Sequence, residues 1–450
     1  MRRNFVLIIG VAIGAFGTNV NTSAAVVTKD SAAIEELRAG NRTDANAAWW
    51  GFDAEDATDA IQGAINSGAK RVVIPNLGKD WIVKPIRLVG DQELFLERGV
   101  NVVAKRGEFR GGGDMLFYAT DVANLTIRGY GATLRMQKED YIVGIVLKDL
   151  NWNRWFGQYP KAEWRTTLGL RGCTNVQVLG IRLADSGGDG IYIDGSRVQR
   201  FCKEVVLKDV TCDNHYRQGI SVISVDGLTV DNCEFNNTWG TPPSSGVDFE
   251  PDTADQRLKN IVFRNCRFDD NYGDGIEVFL AHLNSSSEPV SMLFENCRVT
   301  SRRGPGIRVT KLGDDTPGGL IEFRDCVVAG TEGYGIKVQD KSTKSAQLRF
   351  VRCTLRDVAR NRNYQANWAP IWLHANDTKL ATTFGSIDFI DCVVEDEHDR
   401  AAISVTKNPP VKKLLGVRGT ISVRNPHGVR AELDNPEEKQ DLTVKPAEGS

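Results

Sequence analysis

The sequence predicts an all-β solenoid, a right-handed parallel β-helix with a short N-terminal capping helix. Three observations support this prediction: two strand-like segments recur in alternation, their spacing is nearly constant, and one amphipathic helical segment precedes them. Each repeat is too short to enclose a core alone, so successive repeats must stack and bury one another. The 450 residues are therefore expected to form one long coil rather than two or three compact domains.

The N-terminus has the pattern of an export signal. Arg2 and Arg3 precede an apolar run over residues 6–16, and small residues follow at 23–25. We therefore expect residues 1–25 to be a signal peptide and the mature protein to be secreted or periplasmic. No later segment reaches the roughly 18 apolar residues that a transmembrane helix requires, so no membrane span is expected.

The segment over residues 56–67 is predicted to be the capping helix. Its apolar residues fall on one helical face. A helix in this place can cover the open end of the first coil, where an unpaired strand edge would invite aggregation. The β-helix domain is predicted to span residues 45–425. The tail over residues 426–450 is rich in Glu, Lys and Pro and is predicted to be loose and polar.

The first recurring segment is a strand that ends in a polar residue and a cysteine. These cysteines are Cys233, Cys266, Cys297, Cys326, Cys353 and Cys392. They occur once per repeat and never as a Cys-x-x-Cys pair, which is the wrong spacing for zinc. The total of nine cysteines is odd, which argues against a complete disulfide framework. We expect the cysteines to be small buried residues that form a ladder.

The second recurring segment begins with glycine and continues with an apolar residue and an alternating pattern. Its glycines are Gly190, Gly219, Gly246, Gly275, Gly306 and Gly335, which lie 27 to 31 residues apart. Side chains alternate faces along a strand, so the apolar residue faces the core and the next residue faces outward. The outward residues are Tyr192, Ser221, Asp248, Glu277, Arg308 and Lys337. The residue two positions after each of these is also expected to face outward; Ile223 and Glu250 are examples.

This register gathers acidic side chains on the outside of the coil. Stacked parallel strands lie about 4.8 Å apart, so Asp248 and Glu277 are predicted neighbours. Asp248 and Glu250 share a strand face, with Cα atoms roughly 6.6 Å apart. Such carboxylates can serve as the acid and the base or nucleophile of glycoside cleavage. They can instead bind Ca²⁺, or they can form an ordinary solvated charged face.

Residues in the turns before these strands add further candidates. His215 is a candidate proton shuttle, and Arg217 can clamp a carboxylate or sulfate. Asp189 and Asp274 occupy matching Gly-Asp-Gly-Ile segments that lie three repeats apart. Asp189 is a candidate catalytic residue and Asp274 a candidate substrate-binding residue, although an aspartate in a turn often only bonds its own backbone.

Aromatic residues in two long loops are candidates for sugar stacking. The loop over residues 236–245 carries Trp239. The loop over residues 149–165 carries the predicted substrate-binding residues Trp155, Trp164 and Arg165, and Tyr192 is expected to join them from its strand. Loops on a β-helix form the walls of its groove, and aromatic rings there stack on sugars or pack the loop down.

The segment over residues 56–99 (DATDAIQGAINSGAKRVVIPN…WIVKPIRLVGDQELFLERG) and the strands after it resemble the pectin-lyase-like superfamily. The helix-capped start is similar to that of polygalacturonases and pectate-lyase-3-type domains. The Asn-Thr-Asp, Gly-His-Gly and Arg-Ile-Lys motifs of polygalacturonases are absent. The resemblance therefore implies the fold and leaves the subfamily open among hydrolases, lyases, epimerases and phage depolymerases.

These observations favour a polysaccharide-active enzyme that hydrolyses glycosidic bonds through Asp248, Glu250 and Glu277. The alternatives are a lyase or epimerase acting on uronic-acid glycans, in which Ca²⁺ is a possible cofactor, and a carbohydrate-binding solenoid without catalysis. Hydrolysis requires no cofactor. The net charge of −2 and the lack of a basic stripe disfavour nucleic acid as a partner. We expect a monomer.

Overall fold

The computed structural model of the protein describes residues 26–141, 159, 162–361, 368–376, 383–407, 413–432 and 441–448. In these residues the chain winds through parallel strands that stack around one continuous apolar core. This arrangement confirms the predicted β-helix.

The helical part of the described chain is confined to its first third. Its helices are Ser31–Arg38, the short 3-10 helix Ala47–Trp50, Thr58–Ile65 and Lys138–Tyr141. The helix Thr58–Ile65 lies where the capping helix is predicted, and it buries Ala60, Ile61, Ala64 and Ile65. It packs closely on Trp50, because a Cβ atom at Gly63 would lie 2.4 Å from the Trp50 ring. The helix therefore covers the first turn of the coil as predicted.

The strands form three stacks, which we call sheets 1, 2 and 3. Sheet 1 contains Ile86–Arg87, Phe117–Thr120, Leu168–Arg171, Ile191–Asp194, Ile220–Val222, Val247–Phe249, Ile276–Phe279, Ile307–Leu312, Ile336–Lys341, Ile371–Ala375, Ile403–Lys407 and Ala431–Glu432. Sheet 2 contains Asp44–Asn46, Arg71–Ile74, Gln92–Leu96, Ala123–Arg128, Thr174–Leu179, Cys202–Lys208, Val225–Asp231, Leu258–Arg264, Val290–Glu295, Gly319–Arg324 and Gln347–Val351. Sheet 3 contains Trp81–Val83, Asn101–Ala104, Thr133–Arg135, Arg182–Ala184, Thr211–Asp213, Glu234–Asn236, Arg267–Asn271, Arg298–Ser301, Val327–Ala329 and Thr354–Arg356.

Sheets 2 and 3 join near the end of the described chain. There, the long strands Thr383–Glu395 and Lys413–Arg424 run through both stacks, and Asp441–Pro446 follows them. Near the start, Val26–Val27 pairs antiparallel with Phe52–Asp53. Each full turn of the coil therefore contributes one strand to each sheet.

The predicted tail is partly ordered strand rather than a loose end. Ala431–Glu432 pairs with Ile403–Lys407, and Asp441–Pro446 pairs in parallel with Lys413–Arg424. Leu442 and Val444 pack on the core from this last strand. The prediction for residues 426–450 was wrong over these strands, because two alternating apolar residues suffice when a neighbouring strand supplies the hydrogen bonds. Within the described residues, no helix has the length and apolarity needed to cross a membrane.

The turn between sheets 2 and 3 explains why the repeat ends in Asn-Cys. Asn232, Asn265 and Asn296 have φ values of 53° to 55°, a left-handed conformation that asparagine tolerates better than most residues. The Asn296 side-chain amide donates to Asn265 Oδ1 at 2.8 Å, so the turns of neighbouring coils are tied together. The residue after the turn then faces inward, where cysteine fits.

The cysteine ladder is confirmed. All nine cysteines are free and buried. Thiols of the ladder donate to backbone carbonyls, as when Cys297 Sγ donates to Glu295 O at 3.5 Å. Burial raises the pKa of Cys233 to about 12, so this thiol is not ionised at neutral pH.

We expect none of the nine thiols to react with a water-soluble thiol reagent in the folded protein, because the thiolate is the reactive form and none is accessible. After denaturation without reductant, all nine should react. A colorimetric thiol titration measures both counts. Rapid labelling of the folded protein, or fewer than nine thiols in the denatured protein, would contradict the ladder as described.

Phenylalanines stack along the core from one coil to the next. The ring centroid of Phe323 lies 4.7 Å from that of Phe294 and 5.2 Å from that of Phe350. We expect Phe323→Ala to lower the free energy of unfolding by about 3–5 kcal/mol, because it leaves a cavity in a fully buried stack. Urea denaturation measures the change. Phe95→Ala is the matched control: Phe95 is only partly buried beside Arg71 and should cost about 1 kcal/mol or less.

Candidate functional site

The predicted outward column forms on sheet 1. Tyr192 pairs in register with Ser221, Ser221 with Asp248 and Asp248 with Glu277, and the column continues to Arg308 and Lys337. The predicted neighbours Asp248 and Glu277 are therefore confirmed. The residues before them in each strand are buried in the core, as the glycine register requires.

The outward residues are far less exposed than predicted. Asp248 is 1% exposed and Glu277 is 6% exposed, and Tyr192, Ser221 and Ile223 are also buried. The physical reason is a diagonal contact: the residue before the glycine of one coil reaches the outward residue of the next coil. Thus Gln218 Nε2 donates to Asp248 Oδ2 at 2.9 Å.

The same diagonal contact recurs along the column. Ser245 Oγ donates to Glu277 Oε2 at 3.3 Å, and Arg308 Nε lies 2.7 Å from Asp274 Oδ2. The acids therefore do not form a solvated charged face. They lie under turn residues that belong to the preceding coil.

Arg217 organises a cluster of four acids beside this column. Its guanidinium lies 3.5 Å from Asp189 Oδ2, 3.3 Å from Glu250 Oε2 and 3.8 Å from Glu163 Oε2. Asp189 is completely buried, whereas the side chains of Glu163 and Glu250 are about one third exposed. Asp248 is the fourth acid, close enough to interact electrostatically with Arg217. We call these five residues the Arg217 cluster.

Burial shifts two acids of the Arg217 cluster toward their protonated forms. Burial raises the pKa of Asp189 to about 6, against the opposing effect of Arg217. Burial also raises the pKa of Asp248 well above its ordinary value, and the charges of Glu277 and Glu250 raise it further. These effects shift Asp248 toward its protonated form, and the partly exposed Glu250 lies close enough to contribute to the shift.

A second charged group follows on the next coils. Burial raises the pKa of Asp274 to about 7, although Arg308 opposes the shift, and burial also raises the pKa of Glu277. Burial lowers the pKa of Lys337 to about 8, and its ammonium group lies 4.8 Å from the centre of the Trp372 ring. Asp274 thus pairs with Arg308 within the protein, rather than standing free to bind a substrate as expected.

His215 does not reach the carboxylates. It is completely buried, and its Nδ1 lies 2.8 Å from Ser186 Oγ. Burial lowers its pKa to about 3, with a further lowering by Lys138. A Cβ atom at Gly190 would lie 2.5 Å from His215 Nε2, so the ring fills the space beside this glycine. This placement does not fit the proton shuttle expected from the sequence.

The side chains of Arg165 and Tyr192 are also buried and hydrogen-bonded within the protein. Arg165 is completely buried, and its guanidinium donates to the carbonyl oxygens of Phe109 and Arg110, both at 2.9 Å. The Tyr192 hydroxyl donates to Asp194 Oδ2 at 3.3 Å, and the ring is buried. Neither side chain is available at the surface, contrary to the substrate-binding role expected for them.

Two of the predicted tryptophans are at the surface. Trp164 is 49% exposed and Trp239 is 38% exposed. Lys138 Nζ lies 5.6 Å from the centre of the Trp239 ring. The loops that carry the tryptophans meet near the Arg217 cluster, where Thr241 Oγ1 lies 3.5 Å from Glu163 Oε1. Trp155 lies outside the described residues.

The acids of the column do not fit a calcium ion. In the described part of the chain, no group of three His, Cys, Asp or Glu side chains is arranged to hold a metal. The cation among Asp189, Glu250 and Glu163 is the Arg217 guanidinium. Calcium prefers several ionised carboxylates without a fixed positive charge between them.

Glu163 and Gln218 were not among the sequence candidates. Glu163 belongs to a loop whose path the repeat does not predict. A signal exists in Gly188, because a Cβ atom there would lie 2.2 Å from Glu163 O, and only glycine permits this close approach. Gln218 occupies the position before a repeat glycine, where Asp189 and Asp274 also stand.

Together, the fold and this surface define a right-handed parallel β-helix protein with a partly buried acidic cluster beside sheet 1. Residues 162–288 match the family described as right handed beta helix region. The chain is similar over 211 residues to the uncharacterized protein YclG of Bacillus subtilis (strain 168), at 26% identity. That match covers 40% of this chain and 36% of YclG, so the chain spans about a third of that relative's length.

Solved structures share the fold. The A-module of the mannuronan C-5 epimerase AlgE6 from Azotobacter vinelandii aligns with a TM-score of 0.62 and 14% identity, over 90% of this chain and 100% of that one. The family 28 exopolygalacturonase of Yersinia enterocolitica aligns with a TM-score of 0.58 and 16% identity, over 90% and 78%. The tailspike protein of E. coli bacteriophage HK620, solved with a pentasaccharide, aligns with a TM-score of 0.58 and 13% identity, over 83% and 64%.

Proposed function

We propose that this protein is a secreted or periplasmic glycoside hydrolase that cleaves a polysaccharide at the Arg217 cluster. The observation that carries the proposal is the pairing of Asp248, whose pKa is raised by burial, with a partly exposed Glu250 that contacts Arg217. Hydrolysis of a glycosidic bond needs one carboxyl group that gives a proton and one carboxylate that activates water or attacks the sugar. Two of the proteins that share the fold, an exopolygalacturonase and a tailspike protein solved with a pentasaccharide, support a polysaccharide as the substrate.

In the proposed reaction, Asp248 gives its proton to the oxygen that leaves the anomeric carbon. Glu250 takes a proton from the attacking water, or bonds to the anomeric carbon before water releases it. Either route adds one water across the bond. Neither route requires the uronate carboxylate that a lyase reaction requires in its substrate.

Arg217 is placed to admit the substrate. Its contacts with the acids are 3.3 to 3.8 Å long, whereas charge-assisted hydrogen bonds measure about 2.7–2.9 Å. The guanidinium is therefore held loosely. We infer that it turns toward the bound sugar. The exposed rings of Trp164 and Trp239 supply flat surfaces on which sugar rings stack.

Digestion of a glycan panel, with and without a chelator, tests the proposal. We expect new reducing ends, no product that absorbs in the ultraviolet, and no effect of the chelator. An unsaturated, ultraviolet-absorbing product would instead establish a lyase, and an inverted uronate without chain cleavage would establish an epimerase. A lyase or epimerase acting on uronates is the second candidate. It is favoured by the cations Arg308 and Lys337, which are register neighbours and can neutralise a uronate carboxylate.

A carbohydrate-binding solenoid without catalysis is the third possibility, and the 1% exposure of Asp248 favours it. Calorimetric titration of panel glycans separates this case. A binder should lose affinity in Trp239→Ala, retain it in Asp248→Asn, and never release products. A hydrolase should retain binding in Asp248→Asn but lose turnover.

A further inference from the structure

The turn residue Gln218 is completely buried, and its amide bridges two partners. The backbone N–H of Ser245 donates to Gln218 Oε1 at 2.8 Å, and Gln218 Nε2 donates to Asp248 Oδ2 at 2.9 Å. A backbone N–H can only donate, so Ser245 fixes which end of the amide faces Asp248. Asp248 Oδ2 therefore acts as an acceptor.

A protonated carboxyl group donates through its hydroxyl oxygen, and its carbonyl oxygen is the stronger acceptor. Because Oδ2 accepts from Gln218, a proton bound to Asp248 is favoured on Oδ1. Asp248 Oδ1 has no hydrogen-bond partner among the described residues. In the described part of the chain, no hydrogen bond therefore holds a proton at this oxygen.

We propose that Gln218 is a positioning residue that fixes the proton of Asp248 on Oδ1, from where it passes to the glycosidic oxygen of the substrate. The inference rests on the proposed hydrolase function for its second half. Its first half, the place of the proton, concerns the protein alone and can be measured without substrate.

A matched control exists in the same chain. Gln256 forms the same kind of bridge, since it accepts from the backbone N–H of Asp252 at 2.5 Å and donates to Asp194 Oδ1 at 3.0 Å. Gln256 is also buried, but its bridge belongs to a different turn. A purely structural role for such a bridge should appear equally in both glutamines.

The first experiment compares the pH profiles of kcat for wild type, Gln218→Met and Gln256→Met. Removal of a donor to Asp248 destabilises its ionised form, so Gln218→Met should move the alkaline limb upward by about one pH unit. Turnover should fall about tenfold or more, because the proton is no longer directed. Gln256→Met should leave the limb in place. An unmoved limb in Gln218→Met, or an equal movement in Gln256→Met, overturns the proposal.

A second variant keeps one half of the bridge. Gln218→Glu can still accept from Ser245 but places a second carboxylate next to Asp248, so the alkaline limb should move further upward than in Gln218→Met. If Gln218→Glu instead matches the wild-type limb, the donor from Gln218 has no role.

A substrate-free measurement separates the two proposals. The infrared carbonyl band of protonated Asp248, identified by its loss in Asp248→Asn, can be titrated in wild type and in Gln218→Met. An upward shift in a protein that cleaves no glycan supports the place of the proton and overturns the hydrolase. Cleavage without a shift of the titration overturns the role of Gln218 and leaves the hydrolase standing.

Discussion

Asp248→Asn should lower the turnover of the proposed hydrolysis by about 10²–10⁴-fold, the usual contribution of a general acid. Asparagine has a similar shape and can still accept from Gln218, but it has no proton to give. The measurement is the rate of formation of reducing ends at substrate saturation. Asp194→Asn is the matched control, because Asp194 is another largely buried acid of sheet 1 whose pKa is raised by burial, two strands away from Asp248.

The stability of Asp248→Asn should change in the opposite direction to its activity. The pKa of Asp248 is raised in the folded protein, so its ionised form opposes folding. This penalty is absent below the unfolded pKa and grows as the pH rises through the window up to the folded pKa. The variant should therefore match wild type in acid and be at least as stable at pH 8 in urea denaturation. A clear loss of stability at pH 8 would show that the lost activity reflects misfolding.

Arg217→Met should lower the free energy of unfolding by about 3 kcal/mol at pH 8, because it leaves the buried Asp189 without its cation. The pKa of Asp189 is about 6 in the presence of Arg217, compared with 3.8 in its ordinary state. Without Arg217 this pKa rises further, so an additional penalty accumulates above pH 6. At pH 5 Asp189 is mostly protonated in both proteins, and the difference should be smaller.

Urea denaturation at pH 5 and pH 8 measures this difference. Arg200→Met is the matched control, since Arg200 pairs with Asp255 at 2.6 Å where both side chains are about half exposed. Exposed ion pairs contribute little, so no comparable loss is expected at either pH. An equal effect of Arg217→Met at both values would mean that Asp189 does not titrate in this range.

The register of sheet 1 was predictable because it depends on a local rule. A glycine followed by an apolar residue sets the inward face, and the period of two then places Asp248 and Glu277 outward. The cysteine ladder was predictable for a similar reason, because each cysteine follows a turn residue at a fixed position. The capping helix followed from its amphipathic pattern.

The burial of the same side chains was not predictable. It depends on contacts such as Gln218 with Asp248, which join the turn of one coil to the strand of the next. His215 and Arg165 illustrate the same difficulty, since both look like functional surface residues in the sequence and both fill interior space. Side-chain chemistry indicates what a residue can do, whereas its depth is decided by loops that a period of two does not describe.

The diagonal contacts also limit where the number of coils in such a β-helix can change. The core requires only an apolar residue at each inward position, so gain or loss of one whole coil preserves it. The surface between Asp189 and Arg308 is different, because each diagonal contact there requires a particular side chain on the adjacent coil. Duplication of a single coil there would separate two side chains that contact each other across adjacent coils. The chemistry would then be lost from a molecule that still folds. Whole coils can therefore be added near the ends of this protein without loss of the site, whereas a coil added in its middle would disrupt the site.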